Sequence, residues 1–243
     1  MYPRSTNKKT SYKERKIAAV AKVLRGARAT SYSSGASYSG TSMRPGGWTG
    51  RWTGRGGRSE LKTIDTTATN ANPTATGSVV LLNGVATGDD YNTRDGRKIL
   101  MKSILLRLFL KPDVTQSAPT GDILRVMLVY DKQTNAAALT AAMVLQTATY
   151  ASPNLLDNRE RFKVLLDKYL VIGADVYTAG ALVQGAPLSR CLTSYKTLNL
   201  ETTYNGTGAT VGAINTGSVY LVMLTRSEVS SVDYYARVRF TEP

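Results

Sequence analysis

The chain has 243 residues, 42% of them hydrophobic, which is enough for one large all-β domain with an appendage or for two small domains. Its net charge of +14 favours a polyanionic partner, nucleic acid ahead of membrane. With no histidine and one cysteine, Cys191, the sequence excludes an intrachain disulfide, a zinc site of the Cys/His kind and any nucleophile activated by histidine.

The charge is concentrated at the front. Residues 1–58 hold thirteen Lys/Arg and one acid, net +12, while the remaining residues net +2, so a basic arm precedes a nearly neutral body. The opening MYPRSTNKKT reads as disordered. Lys8, Lys9, Lys13, Arg15 and Lys16 form a loose basic cluster, which suits a nuclear localisation signal and, compatibly, charge for binding. Residues 11–25 are predicted as a short helix. Ser11 and Glu14 have capping-box spacing, Ile17, Val20, Ala21 and Leu24 recur at helical intervals, and Gly26 suits a stop. Lys22, Arg25 and Arg28 extend its basic character. So short and basic a helix is marginal alone. No apolar signal region follows Met1 and no run approaches ~18 apolar residues, so a soluble, intracellular product without membrane insertion is expected.

Residues 27–58 are dominated by Gly, Ser, Thr, Arg and Tyr, a composition that buries too little apolar surface to offset ordering entropy, so this stretch is predicted to be flexible. It contains GGWTGRWTGRGGR, residues 46–58, with both tryptophans of the chain. Arg44, Arg51, Arg55 and Arg58 are candidate phosphate contacts. Trp48 and Trp52 offer flat faces to unpaired bases, worth roughly 1–3 kcal/mol per base. The pattern fits single-stranded nucleic acid held without sequence preference. Tryptophans tucked against the body are the alternative. The tyrosines of SYSSGASY, 31–38, are a weaker stacking signal.

From Ser59 on, β-branched and apolar runs alternate with turn-formers. Strands are predicted at 60–68, 78–86, 97–111, 122–131, 161–173 (or two short ones there), 192–204, 217–226 and 233–241, with one or two helical turns at 136–146. In the last strand Tyr235, Arg237 and Arg239 share one face and Tyr234, Ala236, Val238 and Phe240 the other. The run at 122–131 is uniformly apolar and should be central. No βαβ rhythm appears, which leaves a β-sandwich or jelly roll.

Asp89, Asp90 and Asp95 share one loop, and Asp157, Asn158 and Glu160 another. Either set offers hard oxygen ligands for a divalent cation, but neither has calcium-loop spacing, and turn chemistry or pairing with Arg94 or Arg97 explains the first as well. No glycine-rich phosphate loop is present. No catalytic residue, cofactor or metal is assigned, and no enzyme is expected.

Three blocks resemble a known family. RDGRKILMKSILLRLFL, from Arg94 to Leu110, resembles the R-x-G-x-K-I-x-x-K-S-I-x-L-R signature of small icosahedral capsid proteins. LRVMLVYDKQTN, 124–135, resembles the strand that follows it, and SPNLLDNRERFKVLLDKYLVI, 152–172, the R-x-R-F-x-V-L-x-D-K pattern further on. These are capsids of circular Rep-encoding single-stranded DNA viruses, similar to satellite tobacco necrosis virus-type capsids. The resemblance implies an all-β fold, a single jelly roll of eight antiparallel strands over 59–243, behind the arm of 1–58. It also implies about sixty copies closing into a shell, arms facing inward on single-stranded nucleic acid, DNA rather than RNA, in a virion, with assembly in the host nucleus compatible. The competing expectation is a non-capsid single-stranded nucleic-acid-binding protein with a β-sandwich body.

Overall fold

The computed structural model describes residues 60–112, 121–173, 176–178, 181–184 and 189–242, with backbone alone for 176–178 and 181–184. The predicted helix over 11–25, the segment 27–58 and all fourteen candidate nucleic-acid residues named above lie outside them. The described strands are β1 (Lys62–Ala71), β2 (Ser78–Leu81), β3 (Lys98–Pro112), β4 (Asp122–Asp131), β5 (Phe162–Ile172), β6 (Val176–Thr178), β7 (Ala181–Gln184), β8 (Arg190–Tyr204), β9 (Ile214–Thr216), β10 (Ser218–Thr225) and β11 (Ser230–Thr241). A single helical turn, α1 (Ala141–Val144), lies between β4 and β5.

The long strands pair in a nested order: β4 with β5, β3 with β8, β2 with β10 and β1 with β11, all antiparallel. That is one long hairpin. Rolling it brings β11 against β3 and β10 against β4, giving sheets of order β1-β11-β3-β8-β9 and β2-β10-β4-β5. The chain is a jelly roll. β6 and β7 pair only with each other.

The core lies between the sheets. Ile99, Met101, Ile104, Leu106, Leu108 and Leu110 of β3 and Val232, Ala236, Val238 and Phe240 of β11 face Leu124, Val126 and Leu128 of β4 and Val219, Leu221 and Met223 of β10. Burying each large side chain contributes roughly 1.5–3 kcal/mol. A second cluster forms on the other side of the four-stranded sheet. Met127 and Val129 of β4, Tyr220, Val222 and Leu224 of β10 and Phe162 pack against Leu139, Ala141, Val144 and Leu145. The connection from β4 to β5 therefore covers that outer face. β4 and β10, apolar on both sides, are inner strands, as the uniform run at 122–131 predicts.

Three expectations change in detail. The strand expected over 78–86 stops at Leu81. Beyond it Asn83 is fully buried, its Nδ2 donating to Thr202 Oγ1 and the Gly217 carbonyl and its Oδ1 accepting from Val219 N, so side-chain bonds replace the ladder. The segment 161–173 is one strand with a register shift at Leu128/Val129, not two, and the helical stretch of 136–146 shrinks to one turn.

Buried charges pin the loops. The Arg94 guanidinium, 1% exposed, donates to the carbonyls of Val85, Gly96 and Gly206 and lies 4.1 Å over the Tyr204 ring. The Asp131 carboxylate, fully buried, takes two bonds of 2.9 Å from Arg161 and one from Gln133 N. Gly217, at φ +85°, has no room for a side chain, since a Cβ would lie 2.1 Å from the Glu201 carbonyl.

Candidate nucleic-acid interface

The two sheets differ on their outer faces. Among the described residues nothing covers the outer side of β1-β11-β3-β8, and Phe109 and Tyr195 stand half or more exposed there. Antiparallel register arranges this face in rows: Thr63, Arg239, Ser103 and Thr197; Asp65, Arg237, Leu105 and Tyr195; Thr67, Tyr235, Arg107 and Thr193; Asp233, Phe109 and Cys191. The division expected for 233–240 holds, with Tyr234, Ala236, Val238 and Phe240 inside and Tyr235, Arg237 and Arg239 outside.

Charge on this face is one-sided. Outward positions of the four strands carry Lys98, Lys102, Arg107, Lys111, Arg237 and Arg239 against Asp65, Glu201 and Asp233. Each acid already holds a cation: Lys98–Glu201 at 2.8 Å, Lys111–Asp233 at 2.8 Å and Arg237–Asp65 at 2.6 Å. Arg237 binds Asp65 through both Nε and Nη2, and the Tyr235 hydroxyl donates to the same carboxylate. The Arg237 bonds lead in holding Asp65 below its ordinary value; Lys111 and the Asn70 N–H do the same for Asp233. Lys102, Arg107 and Arg239 are left without an acidic partner among the described residues.

Where β1 begins, a groove of about 680 Å³ opens on this face, lined by Glu60, Leu61, Lys102, Ser103, Tyr195, Arg239 and Thr241. A bulge between Met101 and Ser103 admits Lys102 as an extra residue, so Lys102 and Ser103 both reach the groove. Leu61 is covalently continuous with the basic segment that ends at Arg58.

The candidate cation ligands are not brought together. Asp95 pairs with Lys62 at 3.2 Å, and Lys62 also meets Glu242 at 3.2 Å; Arg94 and Arg97 do not pair with it. Burial alone would lower the Lys62 pKa, but the hydrogen bonds of Asp95 and Glu242 outweigh it and raise it. Asp90 belongs to a turn in which Thr93 Oγ1 accepts from its N–H and donates to its carbonyl. Asp89 and Asp157 are exposed, and Glu160 meets Arg159 at 3.5 Å on the surface. Asn158 donates to the Met143 carbonyl. Among the described residues no group of three or more acids, cysteines or histidines gathers.

Lys102, Arg107, Arg239 and Tyr195 were not singled out as binding residues from the sequence. Their signal is the period-two complement of the core: Lys98, Arg107, Phe109 and Lys111 alternate with buried residues of β3. It becomes a site only once the fold leaves that face bare.

The family model described as satellite tobacco necrosis virus coat protein matches residues 58–243. No curated protein matches the chain. Among solved structures, one of Desmodium yellow mottle tymovirus is 11% identical, covers 89% of this chain and 95% of its own, and superimposes with a TM-score of 0.31. One of infectious bursal disease virus, Gx strain, is 11% identical over 75% of this chain and 32% of its own, with a TM-score of 0.25.

Proposed function

This chain belongs to the satellite tobacco necrosis virus coat protein family and is a viral capsid protein, a structural component of the virion; from that premise we propose that it self-assembles into a small icosahedral shell and packages a single-stranded nucleic acid. The observation that carries the packaging half is the charge distribution: net +12 in residues 1–58, joined to a body whose bare sheet face holds three cations with no ion-pair partner among the described residues.

Lys8, Lys9, Lys13, Arg15, Lys16, Lys22, Arg25, Arg28, Arg44, Arg51, Arg55 and Arg58 neutralise phosphates, and Trp48 and Trp52 stack on unpaired bases. With about sixty copies, the basic segments bring roughly 700 charges into the interior, enough to offset a large part of a genome of order a thousand phosphates. Binding of this kind is nearly blind to sequence and strongly weakened by salt. The resemblance of the blocks at 94–110, 124–135 and 152–172 to capsids of circular Rep-encoding single-stranded DNA viruses favours DNA over RNA, and the basic cluster of Lys8, Lys9, Lys13, Arg15 and Lys16 is compatible with assembly in the host nucleus.

Negative-stain electron microscopy of nuclease-treated protein, with absorbance at 260 and 280 nm on the same sample, tests the proposal. Closed particles with protected nucleic acid are expected. Dispersed molecules across salt and pH would overturn the shell; closed particles without nucleic acid would overturn packaging.

A further inference from the structure

We propose that the groove between the start of β1 and strands β11, β3 and β8 is a nucleotide subsite of the body itself. Lys102 and Arg239 hold a phosphodiester, and Tyr195 stacks on the unpaired base beside it. The inference rests on the packaging reading but adds a second binding element, fixed in the folded body and separate from the basic segment.

Three observations carry it. First, Lys102 and Arg239 line one groove and form no ion pair among the described residues, whereas Asp65, Glu201 and Asp233, the acids at outward strand positions of the bare face, each hold a cation. Unpaired cations side by side repel unless an anion bridges them. Second, Tyr195 is 60% exposed in the same groove, whereas Tyr130, Tyr204 and Tyr220 are buried, so its ring is free to take a base. Third, a volume of about 680 Å³ lies within the range of small-molecule sites and admits a nucleotide.

Charge complementarity selects the occupant. Residues 1–58, at net +12, are repelled by these cations and are a poor occupant. Glu60 also lines the groove and would repel a phosphate near it, so the phosphate belongs with Lys102 and Arg239 and the base with Tyr195. The exposed ring favours a single strand, because the bases of a duplex are already stacked.

The test uses the full-length protein, dissociated in high salt, and a fluorescein-labelled 20-nucleotide oligothymidylate read by fluorescence anisotropy over a salt series. Lys102→Gln with Arg239→Gln is expected to lower the slope of log affinity against log salt by about 1.4, about 0.7 for each cation removed from the phosphates. Tyr195→Leu is expected to lower affinity about tenfold at every salt concentration with the slope unchanged, because stacking releases no counterions. With wild-type protein, an oligonucleotide carrying 5-iodouracil should crosslink to Tyr195, a readout independent of how well the variants fold. Variants matching a wild type that binds, with crosslinks confined to residues 1–58, would overturn the groove and leave packaging intact. Variants that lose particles but keep oligonucleotide affinity would overturn it in favour of a subunit contact. A wild type that binds no oligonucleotide would overturn packaging and the groove together.

Discussion

Arg94 shows how much one side chain organises. It opens the block Arg94–Leu110 that carries the capsid resemblance, yet it contacts no acid among the described residues. Its guanidinium instead ties Val85, Gly96 and Gly206 together over the Tyr204 ring, fixing two loops at one end of the sandwich. Burial leads in lowering its pKa, and the same burial pushes the Tyr204 hydroxyl well above its ordinary value, so the stack joins a cation to a neutral phenol. Arg94→Met should leave three carbonyls short of a donor and cost about 3 kcal/mol. Arg94→Lys should recover only part of that, because an ammonium lacks the planar fork. Chemical denaturation of both variants measures the two losses; a Lys variant as stable as wild type would mean the fork is unused.

At the level of strands, all eight predicted segments form, because each combines period-two patterning with turn residues at its ends. β6, β7 and β9 were not foreseen: at three or four residues they are too short to show a period. The site was legible only in part. The sequence marks Tyr235, Arg237 and Arg239 as one face, but it is strand pairing that aligns Lys102 and Arg107 of β3 with that face. Which sheet stays bare depends on Leu139, Ala141, Val144 and Leu145 folding over β4 and β10, a long-range outcome that no local pattern encodes. Because every described strand of the jelly roll lies beyond residue 58, a chain lacking 1–58 should fold with an unchanged far-ultraviolet circular dichroism of the body. It should bind oligonucleotide more weakly, with a smaller salt slope, yet above background through the bare face. Loss of the cooperative melt would move the domain boundary toward the N-terminus.

For the whole molecule, charge is partitioned twice. The basic segment holds net +12 of the total, and within the body, net +2, the outward strand positions of the bare face carry net +3 and leave everything else in the body at −1. The positive excess of the body is therefore gathered on the strands of one sheet. Its pH response is expected at the acid end. Burial would raise the Glu242 pKa, but the N–H groups of Gly96 and Asp95 and the Lys62 ammonium prevail and hold it low, alongside Asp65 and Asp233. Groups held low in the folded state stabilise above their unfolded pKa, and that contribution is lost as pH falls through the folded value. Melting temperature should thus hold down to about pH 4.5 and decline below it, with no histidine to add a step nearer neutrality. Glu242→Gln should lower the pH 7 melting temperature, and its deficit against wild type should shrink as acid protonates the wild-type carboxylate; a constant offset at every pH would mean the carboxylate acts by packing alone.

The nested pairing also sets an order in time. β4 and β5 can meet early, but β1 must wait for β11, since Lys62 pairs with Phe240 across almost the whole body. Contacts this distant in sequence form slowly. On the ribosome, the basic segment emerges ahead of the body and precedes an unclosed sheet until β11 has been synthesised. The face formed by β1, β11, β3 and β8 comes into existence only with β11, so the fold itself delays the proposed nucleotide subsite until that strand has been translated.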